Sequence, residues 1–491
     1  MTVFRALLTS PTDTSRLAQW LLLLGLAVSV CFAFITQNTY DTGDSINHYL
    51  YARYAPQHPL NLLHSWAKPL FTLLAMGPAQ LGYRGLYVFQ CGLVAASAWL
   101  SYRVAQGLGV PYAGLAVLCC YAAPDYFHIQ FSGLTEPLFG LLLISSVALA
   151  VKGRPAWSAA LASWLPFVRS EGFILLGIWV VYLAWQQQWR ALPLLLLGYA
   201  VYSAVGAVVL GEPGWVFGRN AYPTISTYGR GGWEGWNTYV VGLLYLLGWV
   251  LTVLVALGIA ELLRRATQRR SWARPLFRAE LLLVYGSAAA FIVAHTLFWM
   301  LGIFGSAGLT RVLAMLPPLL AIVALRGLSL LCTLAKTEAA RRRIVLAVSV
   351  LAVGFLFTGL RMQLRWQRDF GQPGDLALAE QAAVWYRQAT GGVARPVSLD
   401  HPGIARALGI DVFDEHVRPL ATVAGQPVLD KLPVGTMLFW DDWCSPVEGH
   451  LPLALLATNP HFRQRWEGTA LRQADDPGGG SCRVVVFEKT W

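Results

Sequence analysis

The residues of this chain that could do chemistry fall into a few short polar clusters. The first reads Asp41-Thr-Gly-Asp44-Ser-Ile-Asn-His48-Tyr and runs on to Arg53. A carboxylate so placed can take the proton of an attacking hydroxyl. Asp44 can equally cap a helix, and the two roles are compatible. The second, His64-Ser-Trp-Ala-Lys68-Pro69-Leu70, offers an ammonium that either neutralises a phosphate or snorkels towards lipid headgroups. A third runs from Pro124-Asp125-Tyr-Phe-His128 to Ser132-Gly-Leu-Thr-Glu136-Pro137. Glu136 enters an apolar stretch, where a carboxylate is costly unless it meets a cavity or a partner. Arg169-Ser-Glu171-Gly172 interrupts another such stretch, and its two charges either pair or line a site. Thr310-Arg311 stands ahead of Pro317-Pro318. Carboxylates to accept a proton and fixed cations to hold a phosphate are the parts of a group transfer from a phosphorylated carrier.

Other signals are weaker. The loop 211–237 holds Trp215, Phe217, Tyr222, Tyr228, Trp233 and Trp236 with Arg219 and Arg230. It reads first as an interfacial aromatic belt and second as a wall for a sugar or a lipid tail. Asp441-Asp442 reads as a solvated pair. No Gly-rich phosphate loop follows a strand, and no Cys/His cluster has metal-ligand spacing. No cofactor is expected, and the sequence does not support a divalent metal.

These clusters must be positioned by membrane helices. Of 491 residues, 37 are Lys or Arg and 26 Asp or Glu, so 13% are charged and 56% hydrophobic. Soluble domains carry about 25% charge, so a disordered, fibrous or ordinary cytosolic protein is excluded. About 20 apolar residues cross a bilayer as a helix. Spans are predicted near 17–37, 86–104, 111–124, 133–151, 157–169, 172–186, 192–210, 238–262, 279–303, 311–332 and 344–361, eleven in all. With the N-terminus inside, Arg5, Arg16, Arg103, Lys152, Arg154, Arg190, the Arg264–Arg278 cluster and Lys336–Arg343 all face the cytoplasm, as the positive-inside rule requires. The net charge of +11 is thus membrane anchoring, and no nucleic-acid partner is expected. The polar clusters then face outward.

Residues 1–360 carry 24 basic and 11 acidic side chains, and residues 361–491 carry 13 and 15. The expected division is a transmembrane domain, 1–361, and an extracytoplasmic α/β domain, 362–491. Strands are expected at 396–399, 436–440 and 483–488, with helices near 375–389 and 449–457. Cys444 and Cys482 are the pair in this domain, either bridged or two buried thiols. Within the first cluster, Ile46, Tyr49, Leu50 and Tyr54 recur at helical spacing and Pro56 ends the pattern. That predicts an amphipathic helix in the interface with Asp44 at its start.

Taken together, Asp44-Ser-Ile-Asn-His-Tyr-Leu-Tyr-Ala-Arg53, Trp66-Ala-Lys68-Pro69-Leu70, Ser132-Gly-Leu-Thr-Glu136-Pro, Arg169-Ser-Glu171-Gly172 and Thr310-Arg311 with Pro317 resemble the polytopic glycosyltransferases of the GT-C fold. The likeness is to the family 39-like enzymes, which include protein O-mannosyltransferases and the aminoarabinose transferases that modify lipid A. It covers roughly residues 15–360. Ser45 stands where the family commonly has Glu after the catalytic Asp, and Leu70 replaces the second Pro of Lys-Pro-Pro. The resemblance implies an inverting transferase in the cell inner membrane. Its donor would be a sugar, mannose by default, on a polyprenyl phosphate, and its acceptor a hydroxyl on protein, lipid or glycan. Asp44 would be the base with Asp41 in reserve. Lys68, Arg169 and Arg311 would hold the donor phosphate, with Glu136, Glu171, His48 and Arg53 lining the cavity. A transporter or flippase of lipid-linked sugars, or a glycan polymerase or ligase, is the alternative. A transporter would more naturally carry midplane charges and repeated halves.

Overall fold

The computed structural model describes residues 15–219, 229–358, 363–472 and 480–491. Arg5, Tyr222, Tyr228 and residues 359–362, across the expected domain boundary, lie outside the described residues. The chain forms two compact units. One comprises Met1–Phe34, Leu62–Leu74 and Tyr87–Arg365, and the other Ile35–Asn61, Ala75–Leu86 and Trp366–Trp491.

The first unit is a helical bundle. Among the described residues, the helices Ser15–Ile35, Trp189–Val209, Gly232–Ala266 and Pro275–Leu301 are long and apolar enough to cross a membrane. Glu136–Val151, Gly172–Trp185 and Pro317–Thr333 are shorter apolar helices. The stretch 111–124 instead folds as a seven-residue helix, Leu115–Tyr121, followed by Pro124–Ile129. The stretch 157–169 becomes Pro155–Ala162 and a 3-10 turn, Leu165–Phe167. Both differ from the single continuous spans expected. Pro124 and Pro166 interrupt the backbone ladder, and the freed groups lie in segments buried by neighbouring protein rather than facing lipid.

The centre of this bundle is Pro317–Thr333, buried along most of its length. It packs on the long Thr238–Ala266 helix, and a Cβ at Gly327 would meet the Leu254 carbonyl oxygen there. Such close approach between helices requires the missing side chain. One buried ion cluster ties three segments of the bundle. The Arg326 guanidinium donates to both oxygens of Glu280 at 2.7 and 2.9 Å, and Arg265 pairs with the same carboxylate at 3.0 Å.

The second unit contains a four-stranded sheet. Its strands are β1 Val397–Leu399, β2 Met437–Asp441, β3 Phe462–Leu471 and β4 Ser481–Lys489, in the order β1-β2-β4-β3. The β1–β2 pair is parallel and the others antiparallel. Leu438, Trp440, Val485 and Phe487 fill one face with Leu451, Leu456 and Phe462. The helix Gly374–Ala389 fulfils the expectation for 375–389, whereas 449–457 yields only the short helix Leu453–Ala457. Strand β3 was not foreseen. It is an edge strand whose outward Arg463, Gln464, Arg465 and Glu467 hide its pattern and discourage pairing with another chain. Cys444 and Cys482 are buried, separate thiols.

Candidate active site

The first acidic cluster belongs to the second unit. The helix runs Asp44–Tyr54 with Ile46, Tyr49 and Leu50 buried, as their spacing predicts, but Ser45, His48 and Ala52 are buried too, so it is not the one-faced amphipathic helix expected at the interface. Asp41, not Asp44, supplies the cap. Its Oδ1 accepts hydrogen bonds from the backbone N–H of Gly43 at 3.0 Å and of Ser45 at 3.2 Å. This satisfies donors that the first turn leaves without intrahelical partners. Asp44 is the first helical residue, at the end where backbone dipoles favour negative charge. The loop that carries both carboxylates is fastened to the later chain. Gln37 N–H donates to the Phe370 carbonyl at 2.8 Å, and Asn38 Nδ2 to the Arg368 carbonyl at 2.8 Å. Thr42 Oγ1 donates to Asp375 Oδ2 at 2.6 Å.

Further along the same helix, Ser45 Oγ lies 2.8 Å from the Tyr83 hydroxyl, and the Tyr49 and Tyr83 rings are 4.8 Å apart. Arg53 donates to the carbonyls of Ala79 and Gln80, so its guanidinium fastens that turn. His48 is buried. An open cavity of about 460 Å³ is lined by Tyr49, Tyr83, Glu380, Val384, Arg387 and Arg406. The Arg406 guanidinium stacks 5.4 Å over the Tyr83 ring and sits 3.7 Å from Glu380.

The same unit concentrates negative charge around this loop. Desolvation, then the charges of Asp44, Asp441, Asp400 and Asp41, raise the Glu448 carboxyl above its usual range. Glu448 keeps more than a third of its surface in water, which screens that shift. Burial pushes Asp400 up to about 6, against the pull of Arg418. Asp441 is a local cap, with its oxygens accepting from the backbone N–H of Trp443, Cys444 and Ser445. Asp442 pairs with Arg472 at 2.7 Å. The Asp441-Asp442 pair is therefore engaged in structure, and not merely solvated.

The cationic clusters belong to the first unit. Lys68 is 4% exposed and adopts a positive φ of 64°. That conformation is uncommon for a residue with a Cβ, and such strain gathers at functional positions. Its Nζ donates to Ser170 Oγ at 3.1 Å. Burial lowers its pKa to about 7, with Glu171 opposing the shift and Arg169 adding to it. The Arg169-Ser-Glu171 motif forms the turn before the helix Gly172–Trp185. A Cβ at Gly172 would come within 2.5 Å of Leu165 and Pro166 backbone atoms, so only glycine lets the turn close. Arg169 lies between two carboxylates, Glu136 at 2.7 Å and Glu171 at 2.8 Å, and reaches Thr135 Oγ1 at 3.3 Å. Glu136 is 1% exposed, so its partner in the apolar interior is this guanidinium. The Thr135-Glu136 turn is pinned by buried Gln90, whose amide donates to the Leu134 carbonyl at 2.6 Å.

The structure thus joins Lys68, Glu136, Arg169 and Glu171 in one polar cluster. It adds His295, whose Nε2 is 3.6 Å from Glu171, and the Tyr239 ring, tilted at 48° with its centroid 5.5 Å from that of His295. Sequence reasoning missed His295 because a lone histidine in an apolar run reads as core. Arg311 sits in the 3-10 turn Thr310–Met315, which packs on the helices that carry Glu136 and Tyr239.

No family model and no curated protein matches the sequence significantly. Solved structures do match. ArnT from Cupriavidus metallidurans bound to undecaprenyl phosphate shares a TM-score of 0.63 at 14% identity, over 95% of this chain and 97% of that one. The same protein in the apo state gives 0.59 at 14% identity, over 96% and 98%. The arabinofuranosyltransferase AftD from Mycobacteria gives 0.50 at 15% identity, over 98% of this chain and 40% of its own. The likeness spans both units, and the chain has the GT-C fold of polytopic membrane glycosyltransferases.

Proposed function

We propose that the chain is an inverting glycosyltransferase that moves a sugar from a polyprenyl phosphate to a hydroxyl acceptor. The observation that carries this reading is the division of labour between two neighbouring carboxylates. Asp41 Oδ1 accepts the Gly43 and Ser45 N–H groups at the helix start, and Asp44 is the first residue of the helix that follows. Asp44 takes the acceptor proton as the acceptor oxygen attacks the anomeric carbon. The bond from that carbon to the phosphate oxygen breaks, and the polyprenyl phosphate leaves with one more negative charge. Fixed cations stabilise such charge without a metal, and by the resemblance alone Lys68 and Arg311 are assigned that role. Arg169, already shared by Glu136 and Glu171, organises the Lys68 pocket.

Undecaprenyl phosphate bound to ArnT makes a lipid of that class the first donor carrier to try. Mannose is the first sugar to try, by the resemblance alone. The acceptor, whether protein, lipid or glycan, is read best by comparing the host's glycans with and without this protein. The setting is the inner membrane, with the N-terminus cytoplasmic and residues 362–491 outside, since every basic block then faces inward. The functional test is transfer of radiolabelled sugar by the purified full chain. A flippase would move the lipid-linked sugar across a vesicle membrane without cleaving it.

A further inference from the structure

We infer that Asp375, in the C-terminal part of the chain, is a positioning residue for the catalytic loop, acting through Thr42. The inference rests on Asp44 being the base, and it gives the C-terminal segment a part in holding the loop that carries the base.

Thr42 lies between the two acidic residues of the loop, one residue after the capping Asp41 and two before Asp44. Its backbone conformation therefore sets where Asp44 enters the helix. Its hydroxyl donates to Asp375 Oδ2 at 2.6 Å, a short bond to a charged acceptor. Asp375 is fixed in turn. Its Oδ1 accepts from the Leu376 N–H at 2.8 Å, and the Nε2 of buried His401 stands 3.6 Å from Oδ2. His401 is oriented by its other ring nitrogen, which accepts from the Gly403 N–H at 3.0 Å. That bond leaves the ring proton on Nε2, on the side of Asp375. The order of support is thus His401, Asp375, Thr42 and then the Asp41–Asp44 turn.

The Gln37 N–H bound to the Phe370 carbonyl and the Asn38 side-chain amide bound to the Arg368 carbonyl fix the start of the loop to the same stretch of chain. Thr42 to Asp375 fixes its end. Ser45 is held as well, by the Thr39 carbonyl and the Tyr83 hydroxyl, so losing the Thr42 bond shifts the turn before Asp44 rather than freeing it, and angstrom-scale misplacement of a reacting group costs rate far more than binding.

The test uses the full-length protein in two measurements. In hydrogen–deuterium exchange, peptides covering residues 38–48 should exchange faster in Thr42→Val and in Asp375→Ala than in the wild type, while Thr42→Ser keeps wild-type protection. In transfer from undecaprenyl phosphate carrying radiolabelled mannose, Thr42→Val should lower kcat about tenfold or more and leave the donor KM within about twofold. Thr42→Ser should restore most of the rate. The Thr42→Val, Asp375→Ala double variant should be no worse than the more damaging single one, because both remove the same bond. Unchanged exchange in Thr42→Val, or additive losses in the double variant, overturns the inference. If the wild type transfers no sugar, or Asp44→Asn stays active, the functional reading fails, and exchange still decides whether the tether exists.

Discussion

Lys68 provides a pH signature that links the buried pocket to donor binding. Its ammonium is held down to about 7 from the ordinary 10.5, first by burial. At about 1.4 kcal/mol per pK unit, that corresponds to about 5 kcal/mol against the charged form. A phosphate oxygen arriving about 4 Å away returns about 4 kcal/mol at an effective dielectric near 20, or about three pK units. Free Lys68 is then about one-tenth charged at pH 8, and fully charged in the complex. The charged form is favoured below about 7, so binding is tightest there. Affinity should fall about tenfold for each pH unit above that, until the pKa of the complex is reached. A phosphate monoester is fully ionised over this range and adds no slope of its own. The assay is calorimetric binding of undecaprenyl phosphate to the full chain in lipid nanodiscs from pH 7.5 to 9.5, in two buffers of different ionisation enthalpy. Wild type should take up close to one proton at pH 8.5, and Lys68→Gln should bind weakly with no slope. A flat profile in the wild type, or the same slope in Lys68→Gln, refutes Lys68 as the phosphate cation.

Three further outcomes concern stability, read from thermal unfolding in detergent. Glu136→Gln removes one of two carboxylates from Arg169, and should cost about 2–3 kcal/mol, less than a lone buried pair because Glu171 remains. An unchanged midpoint would mean that the pair contributes nothing. Glu280→Gln strands both Arg326 and Arg265 and should cost more, about 3–5 kcal/mol, whereas an apolar replacement of all three is tolerated better. A loss smaller than that of Glu136→Gln would contradict this ranking. Asp400 carries a raised pKa, so the folded state holds its proton where the unfolded chain has lost it. Its stabilisation is present at low pH and is lost as pH rises through the range from about 4 to 6. Asp400→Asn should therefore gain about 1–3 kcal/mol at pH 8 and nothing below pH 4. A gain independent of pH would point to packing instead.

Local patterns were legible in the sequence, and long-range pairings were not. The helix Asp44–Tyr54 starts and ends where Ile46, Tyr49, Leu50 and Pro56 place it, because spacing and proline act within a few residues. Three of the four sheet strands announced themselves as short apolar runs, while β3 concealed itself behind edge charges. Which aspartate caps was not readable, because the answer depends on the turn at Thr42-Gly43 bringing two N–H groups onto Asp41. Glu136 was expected to need a cavity or a partner, and its partner Arg169 lay in another recognised motif. The Arg326–Glu280 pair, 46 residues apart inside two apolar runs, gave no local signal. The stretches 111–124 and 157–169 were read as spans from their apolar character although each is shorter than the roughly 20 residues a helical span needs, and in the structure they are broken into short helices at prolines and lie in buried segments.

The central claim is that this chain cleaves a lipid-linked sugar with Asp44 as base. The direct measurement is transfer of radiolabelled mannose from undecaprenyl phosphate to an extract of host acceptors by the purified full chain, beside Asp44→Asn and Asp41→Asn. The account predicts label in acceptor and free undecaprenyl phosphate with the wild type. It predicts a loss of at least about 10³-fold in Asp44→Asn with carrier binding retained, and a smaller loss with lowered stability in Asp41→Asn. Near-normal transfer by Asp44→Asn would contradict the account, as would transbilayer movement of the intact lipid-linked sugar with no cleavage by the wild type.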